Sequence, residues 1–196
     1  IIEDAAESLG AEFKGKKCGS FGDLSILSFN GNKIITTGGG GMLLSNNESY
    51  IKKARKLSTQ AREEELHYEH LEIGYNYRMS NILAGIGRAQ LKTLDKYVEK
   101  RREIFKYYYK NLYEINDVNF INEPKNGKSS YWLTIIIFKN WNHPLIEELI
   151  NVFAEHNIEA RPVWKPMHQQ PVFKEEKLIT KERASVASKF FEYGLC

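Results

Sequence analysis

The sequence has few cysteines and no long hydrophobic run, and each shortage excludes a class of protein. Cysteine occurs at Cys18 and Cys196, so the sequence predicts no disulfide framework of the secreted kind. No apolar run approaches the roughly 20 residues that a membrane-spanning helix needs. We therefore expect a protein of the reducing cytoplasm that has no membrane partner.

The sequence also lacks a large excess of either positive or negative charge. The 28 Lys and Arg residues nearly balance the 25 Asp and Glu residues, which leaves a formal net charge of +3 at pH 7. This small excess does not by itself indicate nucleic-acid binding, and we expect no nucleic-acid partner. A basic cluster at residues 52–56 is interpreted as the solvated face of a helix. A composition of 42% hydrophobic and 27% charged residues is typical of a globular protein that can fill a sizeable core.

Short apolar segments and a helical pattern alternate in the first half of the chain. Strands are predicted at 24–29 and 41–45, and a basic helix at 47–58 begins with an asparagine. This alternation predicts an α/β fold with a largely parallel sheet. The glycine run at 38–41 lacks the spacing of a P-loop and is interpreted as a turn into the second strand.

From Ser80 the pattern changes to one long helix. Apolar side chains recur at helical spacing down to about Tyr113, and we expect this helix to bridge two domains. A turn-rich segment at 123–129 follows, and then the elements of a small α+β domain. These are a strand at 131–138, a helix at 144–156, a strand at 158–163 and a helix from about Thr180.

Two charged residues near the start of the chain are suited to holding a pyridoxal phosphate cofactor. Asp4 follows a short apolar segment, and Lys33 lies in a Gly- and Asn-rich turn directly after a predicted strand. A carboxylate keeps the ring nitrogen of this cofactor protonated through a charge-assisted hydrogen bond. A lysine amine holds the aldehyde as a Schiff base and, once displaced by an amino donor, moves protons between carbon atoms.

The same residues also have purely structural interpretations. Asp4 with Glu7 three residues later is the pattern of a helix N-cap pair, and an isolated lysine is most often a surface residue. Ser28 could merely interrupt a strand. His67 and His70 are too few clustered ligands to indicate a metal, so no metal site is predicted.

Four segments of the chain, taken together, carry a resemblance to a known family. They are Asp4-Ala5-Ala6-Glu7, Ser28-Phe29 with Lys33, Gly74-Tyr75-Asn76-Tyr77-Arg78-Met79-Ser80, and Arg161-Pro162 with Lys165-Pro166-Met167-His168. They resemble the sugar aminotransferases of the DegT/DnrJ/EryC1/StrS family, along nearly the whole chain. Further segments at 30–37, 59–63 and 67–70 are most similar to the UDP-N-acetylbacillosamine transaminase group within that family.

The resemblance implies the PLP-dependent transferase fold of type I, like that of aspartate aminotransferase. Residues 1–98 would form the C-terminal part of the large PLP-binding domain, and residues 99–196 the small C-terminal domain, incomplete at its end. The chain opens with Ile1 inside a predicted strand, so we expect a fragment of a longer enzyme. In the family, the upstream part supplies a phosphate-binding loop and an aromatic ring that stacks on the cofactor.

The resemblance also implies which residues contact pyridoxal 5'-phosphate. Lys33 would be the catalytic residue that bonds the aldehyde, and Asp4 would hold the ring nitrogen. Glu7 would face the phenolic edge of the ring, and Ser28 would bind the phosphate.

A loop and a segment of the small domain complete the site that the resemblance implies. Asn76 and Arg78 would reach the cofactor phosphate of the other subunit of a homodimer, so that the two chains share their active sites. The structural alternative for this loop is a turn with a polar end. The substrate residues would be Arg161, Trp164, Lys165 and His168, unless this segment is only a surface loop interrupted by prolines.

The reaction that the resemblance implies moves an amino group from L-glutamate to C4 of a nucleotide-linked 4-keto-6-deoxy sugar. A UDP-4-keto-6-deoxy-N-acetylhexosamine is the expected substrate, and amino-sugar or glycan biosynthesis is the expected pathway. A dehydrating branch of the family replaces the Schiff-base lysine with histidine, whereas Lys33 is intact here. The alternative is an inactive truncated member, or a binding module without catalysis.

Overall fold

The computed structural model describes residues 1–140, 143–180 and 185–196. The chain divides into two compact units, of which the first comprises Ile1–Arg102 and Glu123–Trp132. The second comprises Glu103–Asn122 and Leu133–Cys196. Among the helices of the described ranges, none combines the length and the apolar character of a membrane span.

Short strands and longer helices make up the described part of the chain. The strands are β1 (Ile2–Asp4), β2 (Glu12–Phe13), β3 (Lys16–Lys17), β4 (Leu24–Ser28), β5 (Gly41–Leu44), β6 (Val118–Phe120), β7 (Gly127–Lys128), β8 (Ile136–Phe138) and β9 (Gly194–Leu195). The α-helices are α1 (Glu48–Ser58), α2 (Asn81–Leu91), α3 (Leu94–Leu112), α4 (His143–Glu155) and α5 (Val186–Tyr193).

The main sheet of the first unit has the order β1-β4-β5. Strand β1 is parallel to β4, with Asp4 opposite Ile26, whereas β5 is antiparallel to β4. The two predicted strands are confirmed, but the prediction of a largely parallel sheet is wrong for the described strands. Strands β4 and β5 are joined by a loop without a crossover helix, and such a connection returns the chain antiparallel.

The predicted basic helix is confirmed as α1. Asn47 precedes its first residue, and the Asn47 side-chain oxygen accepts a hydrogen bond from the backbone N–H of Ser49 at 3.0 Å. This contact satisfies one of the backbone donors that have no partner within the first turn.

The single long helix predicted from Ser80 is wrong, because the chain forms α2 and α3 with a break at Lys92 and Thr93. At the break the Thr93 backbone N–H and hydroxyl both donate to the carbonyl of Gln90, each at 2.9 Å. A side chain that bonds its own backbone in this way competes with helix continuation. Residues of α3 belong to both units.

A second small sheet of the first unit has the order β3-β2-β7. Its last strand, β7, lies inside the segment that the sequence predicts as turn-rich. Glu123 anchors this segment to α3, because its carboxylate accepts from the Arg102 guanidinium at 2.6 and 3.2 Å and from the Ser129 backbone N–H at 2.6 Å. The stretch of chain that ends at Trp132 is thereby tied to the first unit.

The second unit is built on the antiparallel sheet β6-β8-β9 with α4 and α5. Its core centres on Val118, Phe138, Ile146 and Leu195, with Leu149 and Phe153 packed against them. Helix α4 confirms the predicted helix at 144–156 to within one residue at each end.

Three predictions for this half of the chain are corrected. The strand predicted at 131–138 is limited to β8, and at its predicted first residue Tyr131 has a positive φ of 44°, which an extended strand excludes. The strand predicted at 158–163 is reduced to an isolated bridge between Pro162 and Leu195. Proline lacks the N–H that a continuous ladder needs. The last helix begins at Val186 rather than near Thr180, and the predicted residues 181–184 lie outside the described residues.

Candidate functional site

The carboxyl ends of β1 and β4 lie at the same edge of the main sheet, because the two strands are parallel. Asp4 is the last residue of β1 and Ser28 the last residue of β4. The carboxyl edge of parallel strands is where open α/β sheets bind ligands. The chain turns after Asp4 instead of entering a helix, so the helix-cap interpretation of Asp4 and Glu7 is wrong. The exposed Asp4 carboxylate accepts one bond, from the Ala6 backbone N–H at 3.1 Å.

Lys33 is enclosed by a carboxylate and an aromatic ring. Its Nζ atom lies 3.2 Å from Oε1 of Glu7 and 4.2 Å from the centre of the Trp132 ring. The side chain is 12% exposed, whereas that of Glu7 is 46% exposed. The same small cavity is lined by Ser28 together with Ala6, Leu9 and Ile34. The structure therefore brings Glu7, Ser28 and Lys33 together, with Asp4 at the neighbouring strand end.

Backbone contacts hold the loop that carries Lys33. The Lys33 N–H donates to the Asn30 carbonyl at 3.1 Å, and the indole N–H of Trp132 donates to the Asn32 carbonyl at 2.7 Å. Three residues further on, the Gln90 side chain makes two bonds to the backbone of Thr36, at 3.0 and 2.7 Å. The turn is thus held by an internal hydrogen bond, by α2 and by the segment that ends at Trp132.

Glu3 organises the loop that leads into β4. Its carboxylate accepts from the backbone N–H groups of Gly19 (2.6 Å), Phe21 (2.8 Å) and Gly22 (3.3 Å), and from the Ser25 hydroxyl at 3.1 Å. Burial raises the pKa of Glu3, but these four hydrogen bonds together outweigh burial, so the pKa lies below its usual value. Glu3 therefore holds the segment that leads into β4 against β1.

Asn76 and Arg78 lie on an exposed segment that pairs with the end of α1. The Tyr75 and Tyr77 N–H groups donate to carbonyls of α1 at 2.7 and 3.0 Å, and Asn76 forms a bridge with Thr59. The rings of Tyr75 and Tyr77 stack with their centres 4.9 Å apart. Arg78 lines an open cleft that also contains several cations of α1 and Arg62.

The segment around Asn76 has an unusual number of exposed apolar side chains, which we call the apolar loop. Its members are Leu66, Tyr68, Leu71, Ile73 and Tyr77, and each of them is at least 77% exposed. In the same loop His67 lies 3.1 Å from Glu69, and His70 bonds the Gln60 carbonyl at 2.8 Å. Within the described ranges no three His, Cys, Asp or Glu side chains are arranged to hold a metal ion.

The predicted substrate residues lie in the second unit. Arg161 is exposed and its guanidinium bonds Glu159 at 2.6 and 2.9 Å. Trp164 is 48% exposed, and Nζ of Lys165 lies 5.9 Å from the centre of the Phe191 ring.

His168 contacts α5, because its Nε2 lies 3.0 Å from the Ser188 hydroxyl. It also lines a largely apolar cleft beside Met167 and Phe173.

Sequence reasoning missed Glu3, Gln90 and Trp132. Each acts on a distant part of the chain, and Trp132 lies 99 positions beyond Lys33. No local pattern marks such a pairing. The adjacent acidic residues Glu3 and Asp4 could have indicated a separate role for Glu3. Successive residues of a strand face opposite sides, so the two carboxylates have different surroundings.

The family model for DegT/DnrJ/EryC1/StrS aminotransferases matches residues 1–196, the whole chain. The chain belongs to this family. EpsN of Bacillus subtilis, assigned as a pyridoxal phosphate-dependent aminotransferase, is 53% identical over 100% of this chain and 50% of its own length. GDP-perosamine synthase of Escherichia coli O157:H7 is 41% identical over 90% of this chain and 47% of its own length.

A solved structure confirms the fold. PseC of Helicobacter pylori, an aminotransferase involved in the biosynthesis of pseudoaminic acid, superimposes with a TM-score of 0.86 at 23% identity. The match covers 99% of this chain and 52% of PseC. The chain thus has part of the PLP-dependent transferase fold of type I. It spans about half the length of the curated relatives that it matches.

Proposed function

We propose that this chain carries the Schiff-base lysine of a PLP-dependent sugar-nucleotide aminotransferase, and that Lys33 is this catalytic residue. The observation that supports the proposal most strongly is the enclosure of the Lys33 amine beside Glu7 and Ser28 at the carboxyl edge of β1 and β4. Membership of an aminotransferase family supports it independently.

The residues at this edge fit pyridoxal phosphate by their chemistry. They offer one primary amine, one hydroxyl and a carboxylate, Asp4, whose only hydrogen bond in the described part of the structure is the one from Ala6. An exposed carboxylate of this kind can accept a charge-assisted hydrogen bond from a protonated ring nitrogen. When bound, the cofactor supplies an electron sink for the carbon from which a proton is removed.

Each of these side chains has a separate task in the proposed reaction. Lys33 would leave its ion pair with Glu7 to hold the cofactor aldehyde through its amine, with loss of water, and the amine, once displaced by the amino donor, would move a proton between carbon atoms. Asp4 would hold the proton on the ring nitrogen. Ser28 would donate its hydroxyl to the phosphate, and Glu7 would contact the phenolic edge of the ring.

The proposed amino donor is L-glutamate, and the proposed acceptor is a nucleotide-linked 4-keto-6-deoxy sugar that is aminated at C4. The second unit would bind the acceptor. Arg161 can exchange its exposed ion pair with Glu159 for a diphosphate, and Lys165 can contribute a second positive charge. Trp164 offers a half-exposed ring for a sugar or base, and His168 a hydrogen bond to a sugar hydroxyl.

The nucleotide base of the sugar acceptor is a separate part of this proposal. The resemblance to the UDP-N-acetylbacillosamine transaminase group favours a UDP-linked N-acetylhexosamine, whereas the name of the Escherichia coli relative specifies a GDP-linked sugar. We expect the UDP-linked keto sugar to be turned over faster than its GDP-linked counterpart, with glutamate-dependent product formation followed by mass spectrometry. A clear preference for GDP would refute this part of the proposal.

We further propose that residues 1–98 belong to the large PLP-binding domain and 99–196 to the small domain of a homodimeric cytoplasmic enzyme. The apolar loop supports a second copy of the chain as partner, because contiguous exposed apolar side chains mark interaction surfaces. Asn76 and Arg78 on this loop would contact the cofactor phosphate in the other subunit. Cys18 and Cys196 are both reduced thiols, which supports a reducing compartment.

Borohydride trapping tests the proposed function. The full-length protein is incubated with pyridoxal phosphate, reduced and mapped by peptide mass spectrometry, beside Lys33→Ala. We expect one phosphopyridoxyl label, on Lys33, which Lys33→Ala loses. Lys17→Ala is the matched control, since Lys17 also pairs with a glutamate but is 60% exposed. A label elsewhere, or no specific label, would favour the alternative of an inactive binding module.

A further inference from the structure

Trp132 makes two contacts with the turn that carries Lys33, and these contacts act on neighbouring residues. Its indole N–H donates to the backbone carbonyl of Asn32 at 2.7 Å, and its ring lies 4.2 Å from Nζ of Lys33. One contact fixes the backbone and the other the charged end of the side chain. Trp132 itself is only 7% exposed, so its position is fixed by packing.

The ring contact of Lys33 is closer and more buried than those of other lysines. Lys14 and Lys16 lie 5.4 and 4.8 Å from the ring centres of Phe13 and Phe21, and those rings are 40% and 43% exposed. Tryptophan is the strongest cation–π partner, and the attraction grows when the pair is shielded from water. The Lys33–Trp132 pair therefore differs from the surface pairs in distance, burial and ring type.

We propose that Trp132 is a positioning residue for Lys33, whose ammonium it holds on its ring face beside Glu7 in the protein without cofactor. This inference rests on the proposed function of Lys33 and extends it. A free lysine side chain samples many rotamers, and restricting them in advance lowers the entropy lost when the amine reacts. The ring also covers one side of the amine, so that a reagent can approach only from the side that Trp132 leaves open.

Competitive labelling of lysines tests the proposal in the full-length protein without pyridoxal phosphate. A trace of acetic anhydride is added near pH 8, and the label on Lys33 is divided by the mean label on all other lysines. Trp132→Met keeps a flexible apolar side chain without a ring, Trp132→Phe keeps a ring, and Phe21→Leu removes the surface ring over Lys16. Normalisation to the other lysines corrects for a general loosening of the protein.

We expect Trp132→Met to raise the relative labelling of Lys33 about three- to tenfold, Trp132→Phe less than about twofold, and Phe21→Leu not at all. An unchanged value for Trp132→Met would overturn the proposal. Equal increases for the Met and Phe variants would also overturn it, because the ring face would then be irrelevant.

Fluorinated tryptophan keeps the test decisive if Trp132→Met fails to fold. Fluorination weakens the negative face of the ring with little change in shape, so the labelling of Lys33 should rise step by step with the number of fluorine atoms. The Trp132→Phe protein grown with the same analogues should show no such series. A flat response in the unmutated protein would overturn the proposal.

These measurements separate the role of Trp132 from the proposed function itself. The labelling is complete before cofactor is added, whereas borohydride trapping reports whether Lys33 bonds the cofactor. When both succeed, Trp132→Met should slow the capture of pyridoxal phosphate by Lys33 without reducing the final amount captured. The cofactor is bound in one place and needs an amine that is already oriented towards it, whereas acetic anhydride can react with the amine from any open side.

Discussion

At the scale of single residues, burial decides what an ion pair contributes. Two Arg–Glu pairs in this protein have the same closest distance, 2.6 Å. Arg102 and Glu123 are 16% and 29% exposed, whereas Arg161 and Glu159 are 74% and 76% exposed. Glu123 also accepts a hydrogen bond from the Ser129 backbone N–H, and it anchors the segment that carries Trp132. The two pairs thus form a matched comparison within one chain.

We expect Glu123→Gln to lower the free energy of unfolding by about 2 kcal/mol, because the largely buried Arg102 guanidinium loses its charge partner. Glu159→Gln should cost less than about 0.5 kcal/mol, since water screens the exposed pair. Urea denaturation of both variants at neutral pH measures the difference. Equal losses would contradict the argument from burial.

The pH dependence gives a second test of the same pair. The hydrogen bond from Arg102 is the main cause that holds the pKa of Glu123 below its usual value, which it does despite burial. A lowered folded-state pKa means that the stabilisation is present above the unfolded pKa of Glu123 and is lost as the pH falls towards the lower folded value. The gap between the protein and Glu123→Gln should therefore shrink on acidification from about pH 6 to about pH 3. A gap that stays constant over this range would rule out the charge as its origin.

At the scale of elements, one glycine determines how the segment before α2 meets the end of α1. A Cβ atom on Gly74 would lie 2.2 Å from the backbone nitrogen of Ala61 and 2.4 Å from the carbonyl carbon of Gln60. These are backbone atoms that cannot move aside as a flexible side chain can. Gly85 in α2 is the opposite case, because no atom lies within 4 Å of the place that a Cβ atom on Gly85 would occupy.

We expect Gly74→Ala and Gly85→Ala to change stability in opposite directions. Gly74→Ala should destabilise by about 1–3 kcal/mol, because the backbones must separate. Gly85→Ala should stabilise by about 0.5–1 kcal/mol, as alanine does in an open helix position. Urea denaturation measures both, and limited proteolysis should show faster cleavage between residues 63 and 73 in the Gly74 variant. Similar effects of the two substitutions would refute the close approach.

At the scale of the whole molecule, the apolar loop is the feature that a second chain would cover. Ile73 is 85% exposed there, while Val172 of the second unit is 80% exposed outside the loop. A charge in the centre of a buried interface is left without water or partner, whereas the same charge on an open surface is solvated. Substitution to aspartate at each position therefore separates an interface from an ordinary surface.

We expect Ile73→Asp to convert the proposed dimer to monomers and Val172→Asp to leave it intact. Light scattering coupled to size exclusion measures the mass at about micromolar concentration. Circular dichroism shows whether both variants keep their helices. A folded Ile73→Asp protein that remains dimeric would place the interface elsewhere.

Local patterns in the sequence were sufficient for several elements. Asn47 marks the start of α1 because its short side chain bonds the first free N–H, and residues near Asn47 alone decide that contact. The glycines around β4 and β5 bound these strands for an equally local reason. The failed prediction of one long helix also has a local cause, because Thr93 bonds the Gln90 carbonyl three residues before it. The strand predicted at 158–163 failed for a distant reason, since its bridge pairs Pro162 with Leu195.

The sequence by itself determined the family, the presence of Lys33 in a tight turn, and the position of Asp4 at the end of a strand. Those features depend on residues close together along the chain. Only the tertiary structure decided that Trp132 covers Lys33 and that Glu7 pairs with its amine. The physical reason is that each of these contacts depends on where distant segments of the chain pack, and the free energy of packing has no signature within a single segment.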